Sequence, residues 1–356
     1  MKIIQVCAGA QTGGAETAFV DTCIALKKHG FDVEVITRPN KIRVPRLKKA
    51  GIKTHTLPFG SKIDKYTPWR SSRIIKKVKP QIVQTWMSRA ADKMPAAPKN
   101  KNYVVVSRLG GYYKLKYFQN TDYFMTITPD IGRYLIDEGV NPDAIRHINN
   151  FAETEDHFEK IDRKTLNTPD DACAVLTLSR LHKSKALDTL MDAAKDLERI
   201  HLWLAGDGPD REKLENYAKD LGMADRVHFL GWREDRAALL HAADICCFPS
   251  RYEPFGTVFV QAWANKTPLI VSLADGPKQF VRDKDDCLAF TVDNVETLRE
   301  NLKLLRDNRA LGQDLVENGY KRYVEEFSCA KTMQAYEEFY NDILAHQNLN
   351  APTEKA

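Results

Sequence analysis

Residues 243–272, ADICCFPSRYEPFGTVFVQAWANKTPLIVS, contain a strand, a loop, a helix and a second strand in direct succession. The apolar run ADICCF has the length of a buried strand, and the polar loop after it carries Glu253. A helical pattern opens near Gly256 and gives way to a second apolar run, PLIVS. Strands that alternate with helices in this way are typical of a parallel sheet. The segment therefore predicts an α/β fold.

The same alternation runs along the whole chain and is interrupted once. Before residue 150 the apolar runs are KIIQVCA, FDVEVIT, QIVQTW, YVVVSRL and YFMTIT, and after residue 172 the pattern restarts with AVLTLSRL. The polar stretch 151–172 has no strong period. A chain of 356 residues exceeds one ordinary core. We therefore predict two Rossmann-like, doubly wound parallel-sheet domains.

The predicted domains span residues 1–155 and 156–330, and residues 331–356 form a C-terminal helix and tail. We expect the helix to pack back on a domain, with the N-terminal one as the candidate, and the tail to be frayed. Ligands of open parallel sheets bind at the carboxyl ends of the strands. Two such domains in tandem would place a site in the cleft between them.

Composition and cysteine usage indicate a soluble protein of a reducing compartment. Apolar residues make up 43% of the chain and charged residues 28%. The seven cysteines lie mostly in apolar runs and show no zinc-like spacing, which is typical of buried thiols. The first residues resemble neither a signal peptide nor a membrane span. We expect a cytoplasmic protein.

Charge is distributed unequally between the two halves of the chain. Residues 1–150 contain 26 Lys and Arg against 11 Asp and Glu, net +15, whereas the remainder contains 27 against 37, net −10. The stretch TPWRSSRIIKKVKPQIV mixes Trp69 with cations such as Lys76 and Lys77, as interfacial basic helices do. A core helix with a solvated face is the alternative. The charge favours an anionic partner or a membrane surface, and no nucleic-acid motif appears.

Glycine-rich turns follow strands in both halves. In the first half, GAQTGGAE places Gly13 and Gly14 before a helix whose free amides suit an anion, although a turn without a ligand is the alternative. The GxGxxG spacing of dinucleotide-binding proteins is absent, which argues against hydride transfer. In the second half, Gly206 and Gly231 each follow a strand.

Two cations in the second half converge on a helix start. The sequence SRLHKSKALDTL places Arg180 at the end of a strand and Lys185 near the next helix, where both suit a diphosphate. Either one alone would be an ordinary surface charge. The amides of Gly256, Thr257 and Val258 offer a further anion site, Thr257 and Gln261 share a helix face, and Glu253 can reach sugar hydroxyls.

Taken together, GGAE, SRLHKSKALDTL, GDGPDREKL and SRYEPFGTVFVQAWA resemble the retaining nucleotide-sugar glycosyltransferases of the two-domain GT-B fold, particularly family 4 (group 1). The resemblance covers nearly the whole chain. It implies that Arg180 and Lys185 neutralise the diphosphate and that Glu253 holds the donor sugar. The implied donor-binding residues are Gly13, Gly14, Gly206, Gly231, Phe255, Gly256, Thr257, Val258 and Gln261, and residues 229–233 would flank the base.

The sequence departs from the family pattern at two places. Gln261 stands where relatives have a second Glu that bonds the ribose, and losing its charge should weaken donor binding by about 1 kcal/mol or change the contact. A His near the reacting sugar is also missing, and Gln84 and Trp86 lie where histidines are often found. Arg108 is the candidate acceptor-side catalytic group, with Tyr112 and Lys114 behind it.

The resemblance implies transfer of a hexose-type sugar from a nucleotide sugar, expected to be a UDP-sugar, to a lipid-linked or polysaccharide acceptor. The stretch RLGGYYKLKYF is similar to members that build lipopolysaccharide core or other cell-surface glycans. No cofactor or metal is required, and Asp283 and Asp285 are interpreted as a charged turn. The alternatives are a catalytically degenerate nucleotide-sugar-binding protein or scaffold and a nucleotide-sugar epimerase.

Overall fold

The computed structural model describes residues 1–11, 13–61, 63–95, 101–152 and 157–346. The predicted domain boundary at 155/156 and the predicted frayed tail lie outside the described residues. The chain forms two compact units. The first unit comprises Met1–Asn150 and the C-terminal segment from Cys329, and the second comprises Phe151–Ser328.

The first unit is built on a parallel sheet. Its strands are β1 (Lys2–Cys7), β2 (Asp32–Thr37), β3 (Lys53–Thr56), β4 (Ile82–Trp86), β5 (Val104–Leu109), β6 (Tyr123–Thr126) and β7 (Ile145–His147). Within the described residues their order is β3–β2–β1–β4–β5–β6–β7, and every pair is parallel. Strands β4 and β5 are buried at every residue, as is usual where helices cover both faces of a parallel sheet.

Helices connect these strands. They are α1 (Gly14–Lys28), α2 (Arg43–Lys49), α3 (Tyr66–Val78), α4 (Met87–Asp92) and α5 (Pro129–Asp137). The start of α5 shows why the chain turns helical there. The side chain of Thr128 accepts a hydrogen bond from the Ile131 amide at 3.3 Å, and Pro129 occupies the first helical position, where its missing N–H costs nothing.

The second unit repeats the arrangement with a smaller sheet. Its strands are β8 (Cys173–Leu178), β9 (Ile200–Ala205), β10 (Val227–Gly231), β11 (Ile245–Phe248), β12 (Leu269–Ser272) and β13 (Leu288–Phe290). They lie in the order β10–β9–β8–β11–β12–β13, again all parallel among the described residues. The helices are α6 (Leu187–Ala194), α7 (Arg211–Asp220), α8 (Arg236–Ala242), α9 (Thr257–Ala264), α10 (Val295–Asp307) and α11 (Arg309–Arg322).

Helix α9 owes its stability to packing rather than to helix propensity. Its sequence TVFVQAWA is rich in β-branched and aromatic residues, which are weak helix formers. Phe259 and Trp263 are buried and pack edge to face at 4.9 Å between ring centroids. The Phe255, Phe280 and Phe327 rings join them in one aromatic cluster. This cluster fixes the start of α9 relative to the sheet.

The C-terminal helix α12 (Cys329–His346) belongs to the first unit. Tyr340 is fully buried, and its hydroxyl donates to the Gln84 side chain at 2.6 Å and accepts from the Gln5 side chain at 3.2 Å. Trp86 in turn donates to Gln5 at 2.7 Å. Gln84 and Trp86 are therefore parts of a buried polar network that ties α12 to strands β1 and β4.

The cysteines that the sequence places in apolar runs carry free thiols, and all but the partly exposed Cys329 are buried. Burial raises the pKa of the Cys7 thiol to about 11 and that of Cys246 to about 12. Within the described part of the chain, no helix combines the length and the apolar character needed to cross a bilayer.

Arg322 and Asp286 form an ion pair in the interior of the second unit. The Arg322 Nη1 donates to the Asp286 carboxylate at 2.6 Å, and the guanidinium lies 5.1 Å from the Trp263 ring centroid. The Asp286 side chain has 0% of its surface exposed, and burial raises its pKa despite the hydrogen bonds from Arg282 and Arg322. The pair holds α11 against the aromatic cluster.

We expect Arg322→Met to destabilise the second unit by about 3 to 5 kcal/mol, because it leaves a buried carboxylate without its partner. Chemical denaturation of the full chain measures the loss. The deficit should be smaller at acidic than at neutral pH, since an acid whose folded pKa is raised loses its penalty once it is protonated. The exposed Arg146 to Asp342 pair, at 3.1 Å, is the control, and Arg146→Met should cost about 1 kcal/mol or less. Equal effects of the two substitutions would contradict this account.

Candidate functional site

The candidate site lies where the strand order of the second sheet reverses. From β8 the chain proceeds outward through β9 and β10, and then returns to place β11 on the other side of β8. The loops that follow β8 and β11 therefore leave the same edge of the sheet as neighbours. Such a reversal point is where open α/β sheets bind ligands. The loop after β8 carries Arg180 and Lys185, and the loop after β11 carries Glu253.

The loop after β8 is held by a close approach of the loop after β9. A Cβ atom on Gly206 would lie 1.9 Å from the Ser179 carbonyl oxygen, and one on Gly208 would lie 2.2 Å from that of Leu181. The Leu181 amide also donates to the Asp207 carbonyl at 3.1 Å. Because Gly206 has no side chain, the loop after β8 can pack closely against it. The Arg180 side chain of the loop after β8 is exposed to solvent. Arg180 has no hydrogen bond or ion pair with another described residue.

Lys185 and Glu253 meet directly. The Lys185 ammonium donates to the Glu253 carboxylate in a close ion pair, and each side chain retains slightly under a fifth of its surface exposed. Lys185 belongs to a 3₁₀ turn, Lys183–Lys185, just before α6. An ammonium carries three N–H groups, so the pair leaves donors on Lys185 for a further anion.

The loop after β11 needs glycine at its end. Gly256 has φ 92°, in the left-handed region, and an added Cβ would lie 2.6 Å from the Phe248 ring and 3.1 Å from Glu253 Cγ. Glycine alone takes this conformation without strain. No described side chain caps the helix that follows, so the amides at Thr257 and Val258 remain available beside Glu253.

The predicted donor-binding residues Phe255, Gln261 and Gly231 differ in how much of each is exposed to a ligand. The Phe255 side chain is 2% exposed and lies in the aromatic cluster, so only its backbone is available to a ligand. Gln261 is 8% exposed, and its side chain makes no hydrogen bond to another described residue. Gly231 ends β10 with φ 66° and pairs with Gly206, and Trp232 beside it is 74% exposed.

In the first unit, the loop with Gly13 and Gly14 is occupied by a carboxylate of the chain itself. Glu16 folds back so that its Oε1 accepts from the Ala10 amide at 2.7 Å. A Cβ on Gly13 would lie 2.4 Å from Glu16 Oε2, whereas Gly14 has open space around it. An anion at this loop would therefore lie near a negative charge. The predicted phosphate contact of Gly13 and Gly14 stays a prediction.

Arg108 lies in the interior of the first unit. It is 4% exposed, its guanidinium stacks 3.9 Å above the Trp86 ring, and it donates to the Asn150 side chain. Desolvation lowers the pKa of Arg108, opposed by a hydrogen bond with Tyr336. This is the environment of a structural cation, so a catalytic role for Arg108 stays a prediction. Tyr112, by contrast, is 44% exposed and donates to Asp130, and Lys114 is exposed.

The Asp283 and Asp285 carboxylates, in the turn before β13, accept hydrogen bonds from other protein groups. Asp283 accepts from the Ala289 amide at 2.8 Å, and Asp285 accepts from Asn318 at 3.1 Å. Among the described residues, no group of three or more His, Cys, Asp and Glu side chains has the arrangement of a metal site.

Arg251 is the residue of this site that the sequence patterns did not single out. It lies two positions before Glu253 and bonds both Asp188 at 2.9 Å and Asp293 at 2.8 Å. The only local signal was its place in the motif SRYEPFG, because its partners are distant in sequence. The arrangement as a whole offers cations, helix amides and a carboxylate, which together suit a sugar linked to a diphosphate.

Two family descriptions match consecutive parts of the chain. "Glycosyltransferase Family 4" matches residues 12–156, and "Glycosyl transferases group 1" matches residues 158–322. Lipopolysaccharide core biosynthesis glycosyltransferase LpsE of Rhizobium meliloti (strain 1021) is 32% identical over 91% of this chain and 94% of its own length. LpsD of the same organism is 31% identical over 96% of this chain and 98% of its own length.

The fold is similar to that of solved structures. The structure of Anabaena Alr3699/HepE in complex with UDP has a TM-score of 0.83 at 18% identity, over 96% of this chain and 100% of that one. The complex of the same protein with UDP-glucose has a TM-score of 0.81 over the same shares. These similarities and the two parallel-sheet units confirm the predicted GT-B fold class. The protein is a glycosyltransferase and belongs to the group 1, family 4 glycosyltransferases.

Proposed function

We propose that the protein is a retaining glycosyltransferase that moves a sugar from a nucleotide-sugar donor to a lipid-linked or polysaccharide acceptor of the bacterial cell envelope. The observation that carries the proposal is the Lys185 to Glu253 pair beside the uncapped start of α9, at the strand reversal of the second sheet. The names of LpsE and LpsD support lipopolysaccharide core as the product, and the HepE complexes support UDP in the donor.

In the proposed reaction, the bond between the anomeric carbon of the donor sugar and the diphosphate oxygen breaks. The acceptor hydroxyl oxygen bonds to that carbon on the same face, and its proton passes to the departing diphosphate. Negative charge grows on the diphosphate as the bond breaks. Lys185, which Glu253 holds in place, and the amides of Thr257 and Val258 stabilise this charge without having to reorganise, and Arg180 adds a second cation. Glu253 accepts hydrogen bonds from sugar hydroxyls and orients Lys185 through their ion pair.

We expect Lys185→Ala and Glu253→Ala each to lower turnover by about a hundredfold or more, because each removes a group preorganised at the reacting diphosphate or sugar. NMR of the protein with UDP-, GDP- and ADP-sugars measures donor binding and slow donor hydrolysis, together with the anomeric configuration of the released sugar. A released sugar of retained configuration is the expected product.

Lys213→Ala is the control for this experiment, since Lys213 is an exposed lysine on α7. Full turnover in either site variant would overturn the site assignment. Binding without hydrolysis, unaltered by Glu253→Ala, would instead favour the catalytically degenerate binding protein. Release of an epimerised sugar nucleotide with no acceptor present would favour the epimerase.

Gln261 provides a test of the ribose contact. If its buried, unpaired side chain faces the ribose, Gln261→Glu should tighten nucleotide binding by about 1 kcal/mol, because a charged acceptor forms the stronger hydrogen bond. Isothermal titration with UDP measures the change. Unaltered or weaker binding in a stably folded variant would show that Gln261 does not contact the ribose.

We further propose that the outer face of α3 contacts an anionic acceptor or the inner face of the cytoplasmic membrane. The helix buries Ile74, Ile75 and Val78, as a core helix does. Its other face exposes Tyr66 by 53% and Trp69 by 50%, and the Arg73 guanidinium lies 4.4 Å from the Trp69 ring centroid. The exposed cations of this face continue with Arg70, Lys76, Lys77 and Lys79.

Aromatic rings among exposed cations suit the headgroup region of an anionic bilayer, to which each cation near the surface contributes about 1 kcal/mol. We expect the protein to sediment with vesicles of anionic lipid at low salt. The double variant Lys76→Glu, Lys77→Glu should weaken this binding by about tenfold or more. The control is Lys213→Glu, Lys219→Glu on α7, which changes the net charge equally. Equal loss in both double variants would show that net charge, and not the α3 face, drives binding.

A further inference from the structure

Arg251 joins the two loops that carry Lys185 and Glu253. All three nitrogens of its guanidinium donate to protein oxygens: Nε to Asp293 at 2.8 Å, Nη1 to the Lys183 carbonyl at 2.6 Å, and Nη2 to Asp188 at 2.9 Å. Nη2 also donates to the Thr189 hydroxyl at 3.1 Å. The side chain therefore reaches from the loop after β11 to the turn before α6 and to the first turn of α6 itself.

The backbone of Arg251 makes the same connection. Its amide donates to the Ser184 carbonyl at 2.8 Å, one residue before Lys185. The 3₁₀ turn that bears Lys185 is thus attached to residue 251 through two successive carbonyls, those of Lys183 and Ser184. Glu253 follows two residues later on the same loop. The relative position of the Lys185 and Glu253 side chains depends on these bonds.

The turn that Arg251 holds is a strained one. Ala186, directly after Lys185, is fully buried in the left-handed conformation at φ 49°. A residue with a Cβ is strained in that conformation, so surrounding bonds must maintain it. Without the Arg251 guanidinium, the backbone amide of residue 251 still holds the Ser184 carbonyl, but the bonds that join the Lys183 carbonyl to the first turn of α6 are lost.

Arg251 itself is not an additional phosphate ligand. It lies between two carboxylates, so the group of Arg251, Asp188 and Asp293 carries one net negative charge. Hydrogen bonding to Asp188 and Asp293 raises the pKa of Arg251. Partial burial would raise the pKa of Asp293, yet the bonds from Arg251 and Thr189 hold it below its usual range. The guanidinium is committed to protein partners.

We propose that Arg251 is the positioning residue of the donor site: it acts through Lys185 and sets that ammonium at the donor diphosphate, without touching the ligand. The inference rests on the proposed function, because it takes Lys185 as the diphosphate-binding group. A planar fork that meets two carboxylates and a carbonyl at fixed angles has no equivalent in a lysine, which offers a point charge on a flexible stem. Lysine at position 251 should therefore restore only part of the effect.

The test is a double-mutant cycle on nucleotide binding. Isothermal titration of the full chain with UDP, GDP and ADP identifies the nucleotide diphosphate that the protein binds, and that nucleotide is the probe. Arg251→Gln should weaken its binding about tenfold, and Arg251→Lys by an intermediate factor. In the Lys185→Ala background, Arg251→Gln should change binding by less than about twofold, because residues that act through one another are not additive.

Arg163→Gln is the matched control. Arg163 likewise joins distant segments, donating to the Ala242 carbonyl at 2.7 Å and to Asp244 at 3.0 Å, but it has no bond to the Lys185 turn. We expect it to lower the thermal unfolding midpoint about as much as Arg251→Gln and to leave nucleotide binding within about twofold. Should Arg251→Gln not fold, Arg251→Lys carries the same cycle.

The outcomes separate the inference from the proposed function. Wild-type binding in Arg251→Gln, or a loss of equal size with and without Lys185, would overturn the positioning role of Arg251 while leaving the site itself intact. Nucleotide binding unaffected by Lys185→Ala, or absent from the wild-type protein, would overturn the proposed function and the inference with it.

Discussion

Adjacent strands of one parallel sheet end at the same edge, and this constraint brings Lys185 and Glu253 together although they are 68 positions apart in sequence. Strand β8 starts the second unit and β11 returns beside it, so the loops after them are neighbours in space. Glycines in the neighbouring loops then determine how closely these loops approach each other. Gly206 and Gly208 allow the loop after β8 to approach so closely that a Cβ atom at either position would collide with its backbone. Gly256 adopts the left-handed turn that starts α9 beside Glu253.

The site also depends on groups that a ligand does not reach. Helix α9 is composed of residues with weak helix propensity and is held by the aromatic cluster around Phe259 and Trp263. The buried ion pair of Arg322 and Asp286 packs against that cluster. In the loop after β11, Arg251 holds the Lys185 turn by a hydrogen bond to the Lys183 carbonyl. A larger set of packing and hydrogen-bonding contacts therefore fixes the positions of the few polar groups of the site.

In the first unit, several residues that the sequence singles out take part in contacts that the sequence does not show. The sequence singles out Arg108 because no histidine is found near it, and its position on β5 places its guanidinium above Trp86 and beside Asn150. Gln84 and Trp86, noted for the histidines they replace, bind α12 through Tyr340 and Gln5. Glu16 folds into the glycine loop for which the sequence predicts a phosphate contact, and that contact stays a prediction. Each of these contacts joins residues far apart in sequence or depends on a side-chain rotamer, and neither is visible in a local pattern.

The amino-acid sequence alone predicts the α/β class, the repetition of the parallel sheet, the position of most strands and the family resemblance, because periodicity and glycine spacing are local properties of the chain. It also marked Lys185 and Glu253, since their motifs are contiguous. The folded structure was needed to show that these two side chains form an ion pair, that the Phe255 side chain is buried in the core and that Arg251 connects both loops. Those outcomes depend on which strands become neighbours and how closely their loops approach, and both are settled by packing across long sequence separations.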